Sequence, residues 1–312
     1  MTDENAAAEQ RPTPDQRPTP DQRPAPDLRP LAEQPYGMVF SASCARSGAD
    51  ELAEFLSFAL AVCDEADAIA LRHFRREIEI VTKPDRSFVT EADRSIERHI
   101  RERIHARWPD HGFVGEEYGE EAGVSSTRWY IDPIDGTHNF IRGVPLFGTL
   151  LALEIDGELQ VGVISAPALR ERWYASRGGG AWAVGAAGSE GARPIRVSRV
   201  ADLVDAQVLY GSIGEIEASG RAPGFRGLLG EVWRERGFGD FWGYALLAEG
   251  AAEAMVEIGV HTWDLAAPLV VIEEAGGRLT DLEGARRIDG REMVATNGLV
   301  HDAVLARLKR EG

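Results

Sequence analysis

The run Trp129-Tyr130-Ile131-Asp132-Pro133-Ile134-Asp135-Gly136-Thr137 constrains the fold more than any other stretch of the chain. Three apolar residues read as a short strand over 129–131, which then runs into two carboxylates three residues apart. Pro133 removes a backbone donor, so the ladder is expected to end there. Burying two unpaired carboxylates is costly. A divalent cation removes that cost, and an all-oxygen site suits Mg²⁺. If a helical turn opens after Asp135, the Gly136 and Thr137 amides stand free at its N-terminus, where an anion is favoured. One segment thus offers a cation clamp and a phosphate cradle. A structural reading also exists, with Asp135 capping the next helix and Asp132 in a turn.

Two further acidic segments have the same character. Gly115-Glu116-Glu117 follows the apolar Phe113-Val114, and Trp263-Asp264-Leu265 places an aspartate at the start of an apolar helix. An N-cap role explains Asp264 taken singly, and exposure explains Glu117, but neither explains the set.

The rest of the chain reads as mixed α and β. Residues 50–76 carry Leu52, Phe55, Leu56, Ala59, Val62 and Ala66 on one helical face, and Ile78, Ile80 and Thr82 alternate as in a strand. A second helix spans 93–107, with Ile96, Ile100 and Ile104 at four-residue spacing. Strands over 145–155 and 161–166 flank the hairpin signal Asp156-Gly157, and 173–176 adds a third. A helix over 263–275 is stopped by Gly276-Gly277. Residues 1–48 are expected to be a disordered tail, because RPTPDQ repeats over 11–30 and has nothing apolar to bury. The folded body then covers 49–312, with an N-terminal half over about 49–197 and a C-terminal half over about 198–312.

Charge narrows the function. The 34 basic and 51 acidic residues give a formal net charge of −17, which argues against a nucleic-acid partner. Bound cations can still reverse the local sign in an acidic pocket, so a phosphorylated substrate fits. Cys44 and Cys63 have neither metal-ligand spacing nor the makings of a disulfide framework, which suits the cytoplasm. No apolar run is long enough to span a membrane, and with no apolar signal core near residue 1 no export is expected. No His-Glu-x-x-His zinc pattern occurs, and His138 and His261 are expected beside the site rather than as ligands.

Asp132-Pro133-Ile134-Asp135-Gly136-Thr137 resembles the first signature of the inositol monophosphatase-like, lithium-sensitive phosphatases, and Trp263-Asp264-Leu265-Ala266-Ala267 with Glu274-Ala275-Gly276-Gly277 resembles the second. Gly115-Glu116-Glu117, Lys83-Pro84-Asp85 and Val89-Thr90-Glu91-Ala92-Asp93 are similar to the family's upstream motifs, in order, across about 50–310. The resemblance implies a layered α-β-α-β-α sandwich, a homodimer and a phosphomonoesterase using metal-activated water. It assigns Glu116, Asp132 and the Ile134 carbonyl to a first Mg²⁺, Asp132, Asp135 and Asp264 to a second, and Asp93 to a weaker third. Thr137 with Glu116 would orient the water, and the Gly136 and Thr137 amides would hold the phosphate.

The alcohol is a finer matter. The segments around Arg142-Gly143, Ser165-Ala166-Pro167 and Gly239-Asp240 resemble the histidinol-phosphate phosphatase branch, with Arg142, Asp240 and Glu257 as substrate contacts. Asp240 and Glu257 would pair with the substrate's amine or imidazolium. Against this, Gly259-Val260-His261-Thr262-Trp263 is closer to the inositol branch, so inositol 1-phosphate is the alternative. A reading of another class is a binding partner of the transcription machinery, since some superfamily members act in that way without catalysis.

Overall fold

The computed structural model describes residues 48–76, 80–82, 88–185 and 191–309. The Pro-rich repeat, Cys44, Ile78 and the Lys83–Asp85 motif lie outside the described residues. In chain order the first elements are α1 (Gly48–His73), β1 (Ile80–Thr82), β2 (Phe88–Thr90), α2 (Glu91–Arg107), β3 (Gly112–Gly115), β4 (Gly119–Glu121), β5 (Thr127–Asp135) and α3 (Thr137–Ile141). Then come β6 (Gly148–Ile155), β7 (Glu158–Ala166), β8 (Glu171–Ser176), β9 (Gly180–Val184), β10 (Arg193–Ile195), β11 (Gln207–Tyr210), α4 (Ile213–Ala218) and α5 (Ala222–Glu231). The chain closes with β12 (Arg234–Arg236), α6 (Asp240–Ala248), β13 (Ala254–Ile258), α7 (Thr262–Glu274), β14 (Arg278–Asp281), β15 (Glu292–Thr296) and α8 (His301–Leu308).

Eight strands form one sheet in the order β10-β9-β8-β7-β6-β5-β3-β4, and five form a second in the order β12-β11-β13-β15-β14. Three apolar clusters stack these into layers. On one face of the large sheet, Phe55, Ala59 and Val62 of α1 and Ile96, Ile100 and Ile104 of α2 pack against Trp129, Ile131 and Leu151. Its other face, with Leu150 and Ile164, meets α6 and α7, which also cover Leu209, Met255 and Met293 of the small sheet. The far side of the small sheet carries α4, α5 and α8 through Ile216, Phe225 and Val304. The architecture is the expected α-β-α-β-α sandwich. Among the described residues no helix is long and apolar enough to cross a membrane.

Local chemistry explains the elements that matter for the site. Thr90 caps α2, and Asp93 at its third position accepts from the Thr90 backbone N–H at 2.8 Å, closing a capping box. The four-residue isoleucine spacing then faces inward, each such side chain stabilising by roughly 1.5–3 kcal/mol when buried. Asp156 (φ 53°) and Gly157 (φ 83°) both adopt the left-handed region, as a two-residue hairpin turn requires. Helix α7 ends in a Schellman motif, with Gly277 N–H donating to Ile272 at 2.8 Å and Gly276 N–H to Glu273 at 3.0 Å.

Strand β5 departs from expectation. It runs through Pro133 to Asp135 instead of stopping at Ile131. It is paired on both sides, parallel to β3 and antiparallel to β6. A bulge absorbs the missing donor: Asp132 lies opposite Leu150, and Asp135 opposite Gly148. The Thr149 hydroxyl donates to the Pro133 carbonyl at 2.9 Å and closes the gap. The bulge lies between Asp132 and Asp135, so the two carboxylates flank an irregular strand end.

Candidate active site

Asp132, Asp135 and Asp264 each offer one carboxylate oxygen, and these three atoms lie within 4.8 Å of one another. Three elements bring them together. Asp132 and Asp135 flank the bulge of β5. Asp135 Oδ2 accepts from the Phe241 N–H at the start of α6. Asp264 is the third residue of α7, and its Oδ2 accepts from His261 N–H at 2.7 Å. His261, rather than Asp264, is therefore the N-cap, and its ring stacks on Trp263 at 4.8 Å. Asp264 thus serves both the helix start and the cluster.

Two more carboxylates complete the cluster electrostatically. Glu116 follows β3, and its N–H donates to the Ile131 carbonyl at 3.2 Å, which ties it to β5 just before Asp132. Asp93, fully buried on α2, feels the Glu116 charge. Burial pushes Asp132 far above the usual carboxylate range, and the charges of Glu116, Asp135, Asp264 and Asp93 push it further. Burial first, then Asp240 and Asp264, raise Asp135. Asp264 is pushed up to about 7, mainly by burial, and Asp93 to about 6 for the same reason. Asp132 Oδ1 and Asp93 Oδ1 are buried without a hydrogen-bond partner. Converging carboxylates with orphaned oxygens are what a hard divalent cation satisfies, so the donor set fits such an ion.

Beside the cluster, Gly136 takes φ 79° and heads the short helix α3. A Cβ there would lie 2.9 Å from the Leu146 carbonyl, so glycine is required by space as well as by φ. The Thr137 hydroxyl donates to the Ile134 carbonyl at 2.9 Å, bringing those two expected site groups together. The Ile134 side chain itself is core. Arg142 ends α3 as an exposed residue and does not line the acidic pocket. His138 is exposed as well, 5.1 Å from the Phe88 ring.

That pocket adjoins the cluster and is lined by Asp135, Glu215, Asp240, Tyr244, Glu257 and Asp264, among others. Asp240 sits at φ 57°, strained for a non-glycine residue, at the first position of α6. Its N–H donates to Glu257 Oε1 at 3.1 Å, and its Oδ2 accepts from Asn139 Nδ2 at 3.3 Å. Burial pushes Glu257 up to about 8, with Asp240 adding to it. The Tyr244 hydroxyl is fully buried beside the Glu257 carboxyl; burial first, and then that carboxyl, push it well above the usual phenol range. Sequence reasoning found Asp240 and Glu257 but missed Glu215 and Tyr244. The visible signal for Glu215 was Ser212-x-x-Glu215, a helix-start pattern that says nothing of a pocket. Gly259 (φ 91°) leaves the room, since a Cβ there would meet Glu215 Oε1 at 2.8 Å.

With this geometry in place, the chain's relatives give it a class. The chain matches the Inositol monophosphatase family over residues 51–311, and it belongs to that family. The family is metal-dependent, typically on Mg²⁺. A histidinol-phosphatase of Mycobacterium tuberculosis is 46% identical over 256 residues, covering 81% of this chain and 97% of that protein. An inositol-1-monophosphatase of Mesorhizobium japonicum is 33% identical, covering 75% of this chain and 88% of its own. Among solved structures, an IMPase of Thermotoga maritima superposes with a TM-score of 0.73 at 31% identity, covering 82% of this chain and 96% of that one. The protein is a phosphatase, a phosphoric monoester hydrolase.

Proposed function

We propose that the protein hydrolyses histidinol phosphate to histidinol and phosphate, the phosphomonoester step of histidine biosynthesis. The observation that carries the substrate is the wall of the pocket beyond the metal carboxylates. Asp240, Glu257 and Glu215 face it, and among the described residues no basic side chain lines it. A neutral polyol can only donate hydroxyl hydrogen bonds to these carboxyl groups, whereas an ammonium or imidazolium adds a charge attraction in a partly desolvated site. The kinship with histidinol-phosphatases supports the same choice.

Two Mg²⁺ ions would be held by Glu116, Asp132, Asp135, Asp264 and the Ile134 carbonyl, with a weaker third near Asp93. When bound, they stabilise charge on the phosphoryl oxygens and acidify the attacking water. The chain's own groups do the rest. The Thr137 proton is committed to Ile134, so the Thr137 oxygen is left to accept a hydrogen from water. Glu116 accepts the other, which aims the water oxygen at phosphorus. The new P–O bond forms as the bond to the alcohol oxygen breaks, and that oxygen takes its proton from a second water in the site. The Gly136 and Thr137 amides hold a phosphoryl oxygen during the inversion.

The test is phosphate release with Mg²⁺ from histidinol phosphate and inositol 1-phosphate side by side. A kcat/KM preference of about 100-fold for histidinol phosphate, worth about 2.7 kcal/mol, is expected. Equal or reversed preference would favour the inositol reading, which the Gly259–Trp263 segment and the 33%-identical inositol-1-monophosphatase support.

A further inference from the structure

Helix α2 carries a second carboxylate one turn beyond Asp93. Glu97 is 0% exposed, among the most buried charged side chains of the described residues. The i, i+4 spacing puts it on the same helix face as Asp93. Asp93 has an orphaned carboxyl oxygen and feels the Glu116 charge. Glu97 reaches the backbone that follows Glu116: its Oε2 accepts from Glu117 N–H at 2.7 Å, and its Oε1 from Tyr118 N–H at 3.2 Å.

Arg101, one turn further on, completes the grip. Its Nε donates to Glu97 Oε1 at 2.9 Å, and its Nη2 donates to the Gly119 carbonyl at 2.5 Å. The guanidinium also lies 5.0 Å from the Phe113 ring centroid on β3 and 5.9 Å from that of Tyr118. The turn from Glu116 to Gly119 is thus held along its length by one helix face. Gly115 makes this approach possible, because a Cβ there would lie 1.9 Å from Glu97 Oε1. A surface ion pair would need none of this; a fully buried carboxylate accepting two successive amides fixes where the backbone of the turn sits.

We propose that Glu97 is a positioning residue for the metal site, holding the turn so that Glu116 and the helix-borne Asp93 converge on one point. Glu97 touches neither substrate nor metal. Helix α2 then sets two ligands at once, Asp93 directly and Glu116 through the turn. This rests on the reading of Glu116 as a metal ligand, and the test separates the two.

The measurement is thermal unfolding of the purified protein across a Mg²⁺ titration, without substrate, for wild type, Glu97→Gln, Gly115→Ala and Ile100→Val. Glutamine keeps the volume of Glu97 but sets an amide donor against a donor. Alanine at 115 displaces Glu97 from the turn side and keeps the chain informative if Glu97→Gln does not fold. Ile100→Val is the structural control, a core change on the same helix that does not touch the turn. The expected result is a rise of about tenfold or more in the Mg²⁺ concentration for half-maximal stabilisation in Glu97→Gln and Gly115→Ala, as for groups that orient metal ligands. Ile100→Val should leave it unchanged. A half-saturation within twofold of wild type in both variants, with only the metal-free melting point lowered, would overturn the proposal. Absence of any Mg²⁺ response in wild type would instead overturn the metal reading beneath it.

Discussion

Two buried polar clusters in different parts of the sandwich are built on opposite principles. At the end of β5, Asp132, Asp135 and Asp264 crowd like charges together, and Asp132 Oδ1 is left with no partner. Beyond the small sheet, Arg221 is 4% exposed and every arm of its guanidinium is used. It donates to Glu292 at 2.7 Å, to Glu283 at 2.8 Å and to the Leu308 carbonyl at 2.8 Å, tying α5 to the end of α8. His301 nearby is equally satisfied. Thr280 donates its proton to the Asp281 carbonyl and so accepts from His301 Nε2–H at 3.0 Å, while Thr296 donates to Nδ1 at 2.9 Å. The second region spends its polar groups on one another and holds the fold. The first withholds them, and unmet polarity in a folded interior is what a ligand answers.

The sharpest way to break this contrast is Asp132→Asn. Removing a ligand worth about 4 kcal/mol of transition-state stabilisation lowers kcat/KM by ~10³-fold. Because the variant also relieves repulsion, the chelated protein should become more stable by roughly 1–2 kcal/mol near pH 8, as expected where a site trades stability for function. Denaturant melts with a chelator check this, and a variant that loses both activity and stability would mean Asp132 is structural. Arg221→Met should do the reverse, costing roughly 2–4 kcal/mol by breaking the pair with Glu292 and removing the donor to the buried Leu308 carbonyl. Its Mg²⁺ dependence and kcat should stay as in wild type.

The pH response sharpens the same comparison, because the two regions push stability in opposite directions. His301 is held down to about 4, chiefly by burial. The unfolded chain therefore binds that proton first, and the His301 contribution, full above about pH 6.5, is lost as pH falls toward 4. Asp264 is raised to about 7 in the metal-free protein. Its contribution is full below the unfolded carboxylate range near pH 4 and is lost as pH rises through 7. The two slopes oppose each other across the same window, so melting with chelator between pH 4 and 7 should show His301→Gln tilting the profile downward with rising pH and Asp264→Asn tilting it upward, relative to wild type. Identical profiles for both variants would sink the assignment.

What could be read from sequence was what local spacing encodes. The isoleucines of α2, the Asp156-Gly157 turn and the paired aspartates of β5 depend on neighbours within a few residues. Pro133 misled because a proline ends an isolated ladder, whereas here Thr149 on β6 closes the gap across the bulge. Glu97 was silent for a different reason: on an amphipathic helix a glutamate reads as solvated, and only the turn after β3 reveals what it holds. Glu215 and Tyr244 were illegible because the order of the small sheet brings them to the site. The strand before α4, β11, lies beside β13, which carries Glu257, and so Glu215 comes to face Gly259.

Glu215 supplies the smallest effect and tests the substrate directly. It is exposed, so water screens it, and its attraction for a cation in the pocket is worth about 1 kcal/mol, or ~5-fold in kcat/KM. Glu215→Gln should lower the rate for histidinol phosphate by that factor and leave inositol 1-phosphate unchanged, since a neutral ring has no charge to lose. Added salt should shrink the difference between wild type and variant, because the residue lies where ions can enter. An equal loss on both substrates would show that Glu215 shapes the pocket through Gly259 rather than through its charge. The three-carboxylate wall would then be a matter of form, and the preference for a cationic alcohol would have to rest on Asp240 and Glu257 alone.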